Sequence, residues 1–199
     1  MVEVRMKLPL GEGDVRKLGL GDIVYLNGTM YIARDAAHMR MLEYERDGKA
    51  IPADLRGSAV FHCGPIMRRK GERWELVAAG PTTSSRMNPL EPQVIEKFGI
   101  RAVIGKGGMD KFTARAMEEH GCVYLAITGG AAVLAAKGVR EVKGVHWLDL
   151  GMPEALWVLE VDNFGPLIVA IDAHGNSLYE RVGQEVKNRL PKIREMLGL

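Results

Sequence analysis

Hydroxyl side chains and an arginine lie close together in the segment GPTTSSRM, residues 80–87, directly after an apolar run. Apolar residues at helical spacing follow, so the pattern predicts a strand, a loop and the start of a helix. Backbone N–H groups at a helix start favour anions, and the planar fork of Arg86 suits a carboxylate. The segment therefore predicts an anion-binding loop, with a solvent-exposed turn that caps the helix as the alternative.

Two further segments carry a cation beside a turn. Lys106 lies in IGKGGM, and Arg34 lies in ARDAAH together with Asp35 and His38. The glycines around Lys106 fit neither the phosphate-loop pattern nor the dinucleotide-binding pattern. A surface turn at Lys106, and a capping aspartate with a surface histidine in ARDAAH, are the alternatives. Taken with Arg86, these cations predict a site for a small dianion.

The remaining candidates for chemistry are excluded by number or spacing. Cys63 and Cys122 are the two cysteines of the sequence, too few for a disulfide scaffold or for an iron–sulfur cluster held by this chain alone. His62, His146 and His174 lack the mutual spacing of metal ligands. The sequence predicts no metal ligands, and it contains no complete catalytic triad and no motif with paired carboxylates.

Composition restricts the class of protein. The 199 residues are 47% hydrophobic, enough for the core of one domain spanning residues 1–199. A balance of 27 basic and 25 acidic residues argues against a nucleic-acid-binding surface. Apolar runs fall short of the roughly 20 residues that span a bilayer, and the first ten residues lack a signal-peptide pattern. We therefore expect a cytoplasmic protein that binds neither nucleic acid nor membrane.

The first part of the chain predicts β-hairpins. Residues 22–33 contain two β-branched and aromatic runs joined by Asn27 and Gly28, a pair that tolerates positive φ in a tight turn. A second strand pair is predicted at 59–66 and 74–79, turning through the polar residues between them. Between these pairs, Asp35 is predicted to cap a short helix that ends near residue 42.

From residue 76 the pattern alternates strands with helices, which are predicted at 91–98, 111–120 and 131–136. Such alternation predicts parallel strands in an α/β fold. Ligands then bind outside the carboxyl ends of the strands, so GPTTSSRM, GKGGM and TGG should share one rim.

The end of the chain predicts two more strands and a helix. The strands are expected at 157–161 and 167–171, joined by a connection at 162–166. Apolar residues at helical spacing predict a C-terminal helix at about 180–197, with a kink or break at Pro191.

Several ordered motifs support a family resemblance over almost the whole chain. They are ARDAAH at 33–38, GPTTSSRM at 80–87, IGKGGM at 104–109, LDLGMPEALW at 148–157 and IDAHGNSLYE at 171–180. Together they resemble the β subunit of class I fumarate hydratase. That family also includes the β subunit of L(+)-tartrate dehydratase and the C-terminal domain of single-chain class I fumarases. The resemblance implies a swivelling β/β/α domain, with N-terminal β-hairpins followed by βα units.

The resemblance also implies roles for individual residues and a cofactor. It implies that Thr82 is a catalytic acid or base, that Arg34, Arg86 and Lys106 contact the substrate carboxylates, and that Asp35, His38 and Thr83 orient other groups. It further implies that a 4Fe–4S cluster is held by a partner α subunit. A hetero-oligomer with two copies of each subunit is then expected.

The function implied is the reversible hydration of fumarate to L-malate, by a hydro-lyase whose β subunit is inactive alone. Dehydration of L(+)-tartrate or hydration of mesaconate is an alternative, because the same cations would suit any short dicarboxylate. A non-catalytic, anion-binding regulatory domain is an alternative of another class.

Overall fold

The computed structural model describes residues 2–198 as a seven-stranded sheet, a two-stranded ribbon and six α-helices. The strands are β1 (Glu3–Lys7), β2 (Ile23–Ile32), β3 (Ala59–Phe61), β4 (Ile66–Lys70), β5 (Arg73–Ala78), β6 (Ala102–Gly105), β7 (Val123–Ala126), β8 (Val139–His146) and β9 (Leu156–Ile171). The helices are α1 (Glu12–Val15), α2 (Asp35–Arg46), α3 (Glu91–Phe98), α4 (Lys111–His120), α5 (Ala132–Lys137) and α6 (Leu178–Leu197), with short 3-10 turns at Ser84–Met87 and Leu148–Leu150. The predicted α/β class is confirmed.

The main sheet has the order β1-β2-β3-β6-β7-β9-β8, and its first five strands run parallel. Strand β9 is antiparallel and pairs with both β2 and β7, so it closes the sheet on itself. Parallel strands place their carboxyl ends at one edge. Arg34, His62, Lys106 and the TGG segment follow β2, β3, β6 and β7, and therefore lie along the same edge.

The hairpin predicted at residues 22–33 is wrong, because β2 is one continuous strand. Its first half pairs with β1, and β9 runs along the opposite side of the whole strand. The positive φ of Gly28, 107°, serves a bulge instead of a turn, since the register against β9 shifts between Leu26 and Gly28. Both halves find partners in other strands, so they need not pair with each other.

The later strand predictions need similar corrections. A hairpin does form, but between β4 and β5, while β3 joins the main sheet. The connection expected at 162–166 is part of the single strand β9, in which Phe164 pairs with Leu26 of β2. Long neighbouring strands thus provide partners where local sequence indicated a turn.

The helices agree better with the predictions. The bounds of α3 and α4 match, and the Asp110 carboxylate accepts the Thr113 N–H at 2.9 Å at the start of α4. Helix α2 continues to Arg46, beyond the predicted end, and Asp35 is its first residue, not the cap. Helix α6 runs unbroken through Pro191. No helix within residues 2–198 is long and apolar enough to cross a membrane.

Two hydrophobic clusters stabilise this arrangement on opposite faces of the sheet. Phe61, Phe164 and Trp157 are buried in one cluster, while Met41 of α2 and Ile95 of α3 are buried in the other. Burying a side chain of this size contributes about 1.5–3 kcal/mol to the free energy of unfolding. The second cluster fixes α2 and α3 against the sheet edge where the cationic segments lie.

Candidate functional site

The loop that contains Thr82 is held by backbone hydrogen bonds between β3 and β6. The Thr82 N–H donates to the His62 carbonyl at 2.7 Å, and the Ser84 N–H donates to the Lys106 carbonyl at 2.9 Å. The Lys106 N–H donates back to the Thr82 carbonyl at 3.4 Å. Thr82 and Lys106 are therefore neighbours at the rim, although different elements supply them.

Arg34 is oriented by Glu154, a residue to which the sequence assigned no role. Arg34 Nε donates to Glu154 Oε1 at 2.5 Å, and Nη2 contacts the same oxygen. The other carboxylate oxygen accepts the Ala36 N–H at 2.9 Å. Nη1 packs over Gly64, where an added Cβ would lie 2.6 Å from it. Glu154 lies in the motif LDLGMPEALW, which was the signal that could have pointed to it.

Arg34 and Arg86 meet at the carboxylate of Asp35. Asp35 Oδ2 lies 3.0 Å from Arg86 Nη2 and 3.5 Å from Arg34 Nε. Arg34 is 22% exposed and Arg86 is 51% exposed at the side chain, so solvent reaches both guanidinium groups. The structure thus brings together two of the three predicted cations, and Asp35 lies where it can orient both.

Lys106 differs from the two arginines in having no carboxylate partner among residues 2–198. Its side chain is exposed and forms no ion pair within the part of the chain described. It runs beside the TGG segment, since a Cβ added to Gly129 would lie 3.8 Å from its Nζ. Thr82 is half-buried beside it, and Thr83 is exposed. An uncompensated ammonium at this rim favours a negatively charged ligand.

His38 is fully buried instead of lying on the surface, and it faces His62 and Glu91. Glu91 Oε2 lies 3.1 Å from His38 Nε2 and 3.0 Å from His62 Nε2. Sequence reasoning missed Glu91 and His62, because Glu91 begins an ordinary helix, His62 follows an ordinary strand, and their spacing along the chain fits no motif. These three side chains are also a group that could hold a metal ion.

The two cysteines do not fit an iron–sulfur cluster. Cys63 and Cys122 are both fully buried. Burial raises the pKa of Cys63 to about 12 and raises the pKa of Cys122 further. Cluster iron binds thiolates, usually four, whereas these two side chains are thiols inside the hydrophobic core. Cys63 and Cys122 therefore do not supply the ligands of such a cluster.

Comparison with known proteins gives a consistent family. The family model described as "Fumarase C-terminus" matches residues 1–182. A Methanocaldococcus jannaschii protein provisionally named L(+)-tartrate dehydratase subunit beta is 50% identical over 191 residues, which are 96% of each chain. The Escherichia coli protein named L(+)-tartrate dehydratase subunit beta is 47% identical over 85% of this chain and 83% of its own length. A Geobacillus stearothermophilus protein provisionally named fumarate hydratase class I is 42% identical over 96% of this chain, but over only 36% of its own length.

Proposed function

The chain belongs to the fumarase C-terminus family, and from this premise we propose that it is the β subunit of a hydro-lyase that reversibly hydrates fumarate to L-malate. Relatives that match it along most of their length are named as β subunits of an L(+)-tartrate dehydratase. They support a hetero-oligomer in which this chain works with an α subunit. We propose two copies of each subunit.

The convergence of Arg34 and Arg86 on one carboxylate is the observation that carries the proposal. Both guanidinium groups contact Asp35 Oδ2, so a substrate carboxylate bound beside Asp35 would lie near donors of both. Lys106 is free of ion pairs among residues 2–198 and would receive the second carboxylate. A short dicarboxylate carries two charges, one for the arginine pair and one for the ammonium.

Thr82 is the side chain that we assign to proton transfer. In the dehydration direction a proton leaves the carbon next to a carboxylate, and negative charge spreads into that carboxylate. The cations that bind the carboxylate would stabilise this charge. A threonine hydroxyl is a weak base, so the neighbouring Lys106 ammonium would have to favour its ionised form. Asp35, His38 and Thr83 are assigned to orienting these groups.

The family's iron–sulfur cluster would be held by the α subunit, since Cys63 and Cys122 are buried thiols. When bound there, its iron would supply a Lewis acid for the departing hydroxyl. This chain contributes the carboxylate contacts and the candidate proton-transfer group. A site divided in this way predicts that the isolated chain has no hydro-lyase activity.

Dehydration of L(+)-tartrate is the second candidate function. It is favoured by the names of the relatives that match the subunit over 96% and 83% of their length. Tartrate is also a four-carbon dicarboxylate, so the same cations would bind it, and its extra hydroxyl would have to be accommodated elsewhere in the site.

The deciding experiment is anaerobic reconstitution with the α subunit and iron, followed by assays on fumarate, L-malate, L-tartrate and mesaconate. Turnover of fumarate and L-malate above the others supports the first candidate, and preference for L-tartrate supports the second. No turnover on any of the four, with an intact cluster, contradicts the hydro-lyase assignment. Dicarboxylate binding by the isolated chain, without turnover after assembly, would indicate an anion-binding domain.

A further inference from the structure

A chain of buried polar side chains lies directly behind the rim. It consists of His38, Glu91, His62, Ser84 and Tyr124, each of which has no exposed surface. His62 Nδ1 lies 3.0 Å from Ser84 Oγ, which accepts the Tyr124 hydroxyl at 3.0 Å. At the other end, His38 Nδ1 lies 3.1 Å from the Arg34 carbonyl. Burying so many polar groups is unfavourable unless each has a partner.

The distances favour one arrangement of protons, in which His38 Nε2 and Glu91 Oε2 meet as an ion pair at 3.1 Å without forming a hydrogen bond. His38 faces a carbonyl with Nδ1 and a carboxylate with Nε2, and both are acceptors, so it carries two protons and a positive charge. His62 faces the same carboxylate with Nε2, which therefore bears its proton, and Nδ1 accepts from the Ser84 hydroxyl. The Glu91 carboxylate and the His38 imidazolium then form a pair with no net charge, and a neutral His62 contacts the same carboxylate.

The pKa directions agree with this arrangement. Burial opposes the charge of His38, but the Glu91 carboxylate and the Arg34 carbonyl outweigh it, so its pKa is raised. Burial likewise opposes the charge of Glu91, yet the two imidazoles hold its pKa far below the ordinary value. Burial dominates at His62 and lowers its pKa. The other titratable groups that interact with these three are Asp35, Cys122 and Tyr124.

A metal ion is the competing explanation for this cluster. The ligand atoms of His38, His62 and Glu91 lie within 4.8 Å of one another. A closed structural zinc site has four ligands, and a catalytic one keeps a position open to water or substrate. The described residues supply three ligands at a fully buried place, so the cluster fits neither kind of zinc site. In the ion-pair arrangement both imidazole rings face Glu91 Oε2, and Glu91 Oε1 has no hydrogen-bond partner among residues 2–198.

The cluster is connected to the rim at three points. His38 contacts the carbonyl of Arg34, and His62 contacts the hydroxyl of Ser84 with its side chain. The backbone carbonyl of His62 also accepts the N–H of Thr82 at 2.7 Å. The two histidines thus hold the two segments that supply Arg34 and Thr82, and the Glu91 carboxylate bridges them.

We propose that His38, Glu91 and His62 form a charged positioning network that fixes Arg34 relative to Thr82 across the dicarboxylate site. None of the three touches the substrate in this arrangement. The network acts through the Arg34 carbonyl and through the loop of residues 80–87. The inference rests on the proposed function, because the groups that it positions are those assigned to substrate binding and proton transfer.

The first part of the test measures protonation on the full chain without substrate or partner. Nitrogen-15 NMR of labelled histidine should show a doubly protonated His38 and a singly protonated His62 at pH 7. Glu91→Gln should convert His38 to the neutral form, whereas Glu96→Gln, at an exposed position of α3, should leave both rings unchanged. A neutral His38 in the wild type, or one stoichiometric zinc ion lost in Glu91→Gln, overturns the network.

The second part measures kcat/KM in the assembled enzyme. Glu91→Gln should lower it at least tenfold, Glu91→Asp should restore part of the loss because the charge returns, and Glu96→Gln should have no effect. If Glu91→Gln does not fold, Ser84→Ala should still lower kcat/KM several-fold while His38 stays cationic. An active wild type whose Glu91→Gln and Ser84→Ala variants keep full activity overturns this inference alone. A wild type inactive on all four dicarboxylates overturns the proposed function, and this inference with it.

Discussion

Arg34 and Arg86 illustrate how much of a site is decided by the partners of each side chain. Glu154 engages Arg34 through Nε and Nη2, while Nη1 packs over Gly64 and forms no ion pair among residues 2–198. Within the described part of the chain Arg86 has one carboxylate partner, Asp35, and half of its side chain is exposed. A guanidinium held on one side is preorganised for a second carboxylate, because less conformational entropy is lost when that ligand binds.

Removing Arg86 tests the carboxylate-binding assignment. A charge-assisted hydrogen bond contributes about 1.5–3 kcal/mol, so Arg86→Ala should lower kcat/KM of the assembled enzyme by roughly tenfold to over a hundredfold. The control is Arg115→Ala, which removes an exposed arginine paired with Glu119 on α4. Near-normal kcat/KM in Arg86→Ala would contradict the role of this side chain.

Thr82 can be tested with two substitutions, one that removes its hydroxyl and one that keeps it. Thr82→Val retains the branched shape and removes the hydroxyl, whereas Thr82→Ser retains the hydroxyl. If the hydroxyl transfers a proton, the valine variant should lose roughly a hundredfold to ten-thousandfold in kcat, and the serine variant should keep much of the activity. Steady-state kinetics of both variants provide the measurement. Substantial turnover by Thr82→Val would make this residue structural.

At the scale of elements, the rim depends on close packing between the 80–87 loop and the end of β6. Gly105 is the last residue of β6, and a Cβ there would lie 1.9 Å from Ser84 Oγ and 3.3 Å from the Tyr124 hydroxyl. This glycine is required by space and not by a positive φ. The glycines of GKGGM therefore serve two purposes, since Gly107 and Gly108 do have positive φ.

Gly105→Ala should therefore damage the site through the loop. Overpacking of this kind typically costs about 1–3 kcal/mol in the free energy of unfolding, and the displaced Ser84 should also lower kcat/KM. Adding Ser84→Ala should recover part of the stability, because the nearest atom is the hydroxyl oxygen. Gly144→Ala is the matched control, since no atom lies within 4 Å of its Cβ position. Chemical denaturation of the wild type and the three variants gives the comparison, and equal stabilities would show that the loop adapts.

At the scale of the whole molecule, closure of the sheet by β9 brings the carboxyl ends of four parallel strands to one edge and packs α2 and α3 against them. The buried pair of Glu91 and His38 joins these two helices beneath the rim. Removing one partner of a buried ion pair leaves an uncompensated group in the interior. The stability of the fold and the geometry of the site thus depend on the same contact.

The pH dependence of unfolding should reflect that pair. The pKa of Glu91 is lowered, so its contribution is complete above its ordinary value of 4.5 and is lost only in stronger acid. The pKa of His38 is raised, so its contribution is complete below 6.5 and is lost as the pH rises through the raised value. Between pH 4.5 and 6.5 the free energy of unfolding of the wild type should exceed that of Glu91→Gln by about 3–5 kcal/mol. This difference should shrink in alkali, where His38 loses its charge. Urea denaturation across pH 5–10 measures it, with Glu96→Gln as the control; a difference independent of pH would contradict the ion pair.

The sequence was sufficient for the α/β class, for α3 and α4, and for placing GPTTSSRM, GKGGM and TGG at one rim. Periodicity, capping residues and the order of strands and helices are local properties, and the rule for carboxyl ends of parallel strands does the rest. The family resemblance added the roles proposed for the site residues. These predictions required no knowledge of which strands are neighbours.

Only the tertiary structure decided the long strands β2 and β9, the Glu154 partner of Arg34, and the cluster of His38, His62 and Glu91. Asn27 and Gly28 carry the local signal of a turn, but pairing with β1 and β9 along both edges makes them a bulge. The cluster joins side chains from α2, from the end of β3 and from α3, which no spacing along the chain connects. These side chains meet because closure of the sheet and packing of its helices bury them together. The low polarity of that interior strengthens the electrostatic attraction between the shared carboxylate and the imidazole rings.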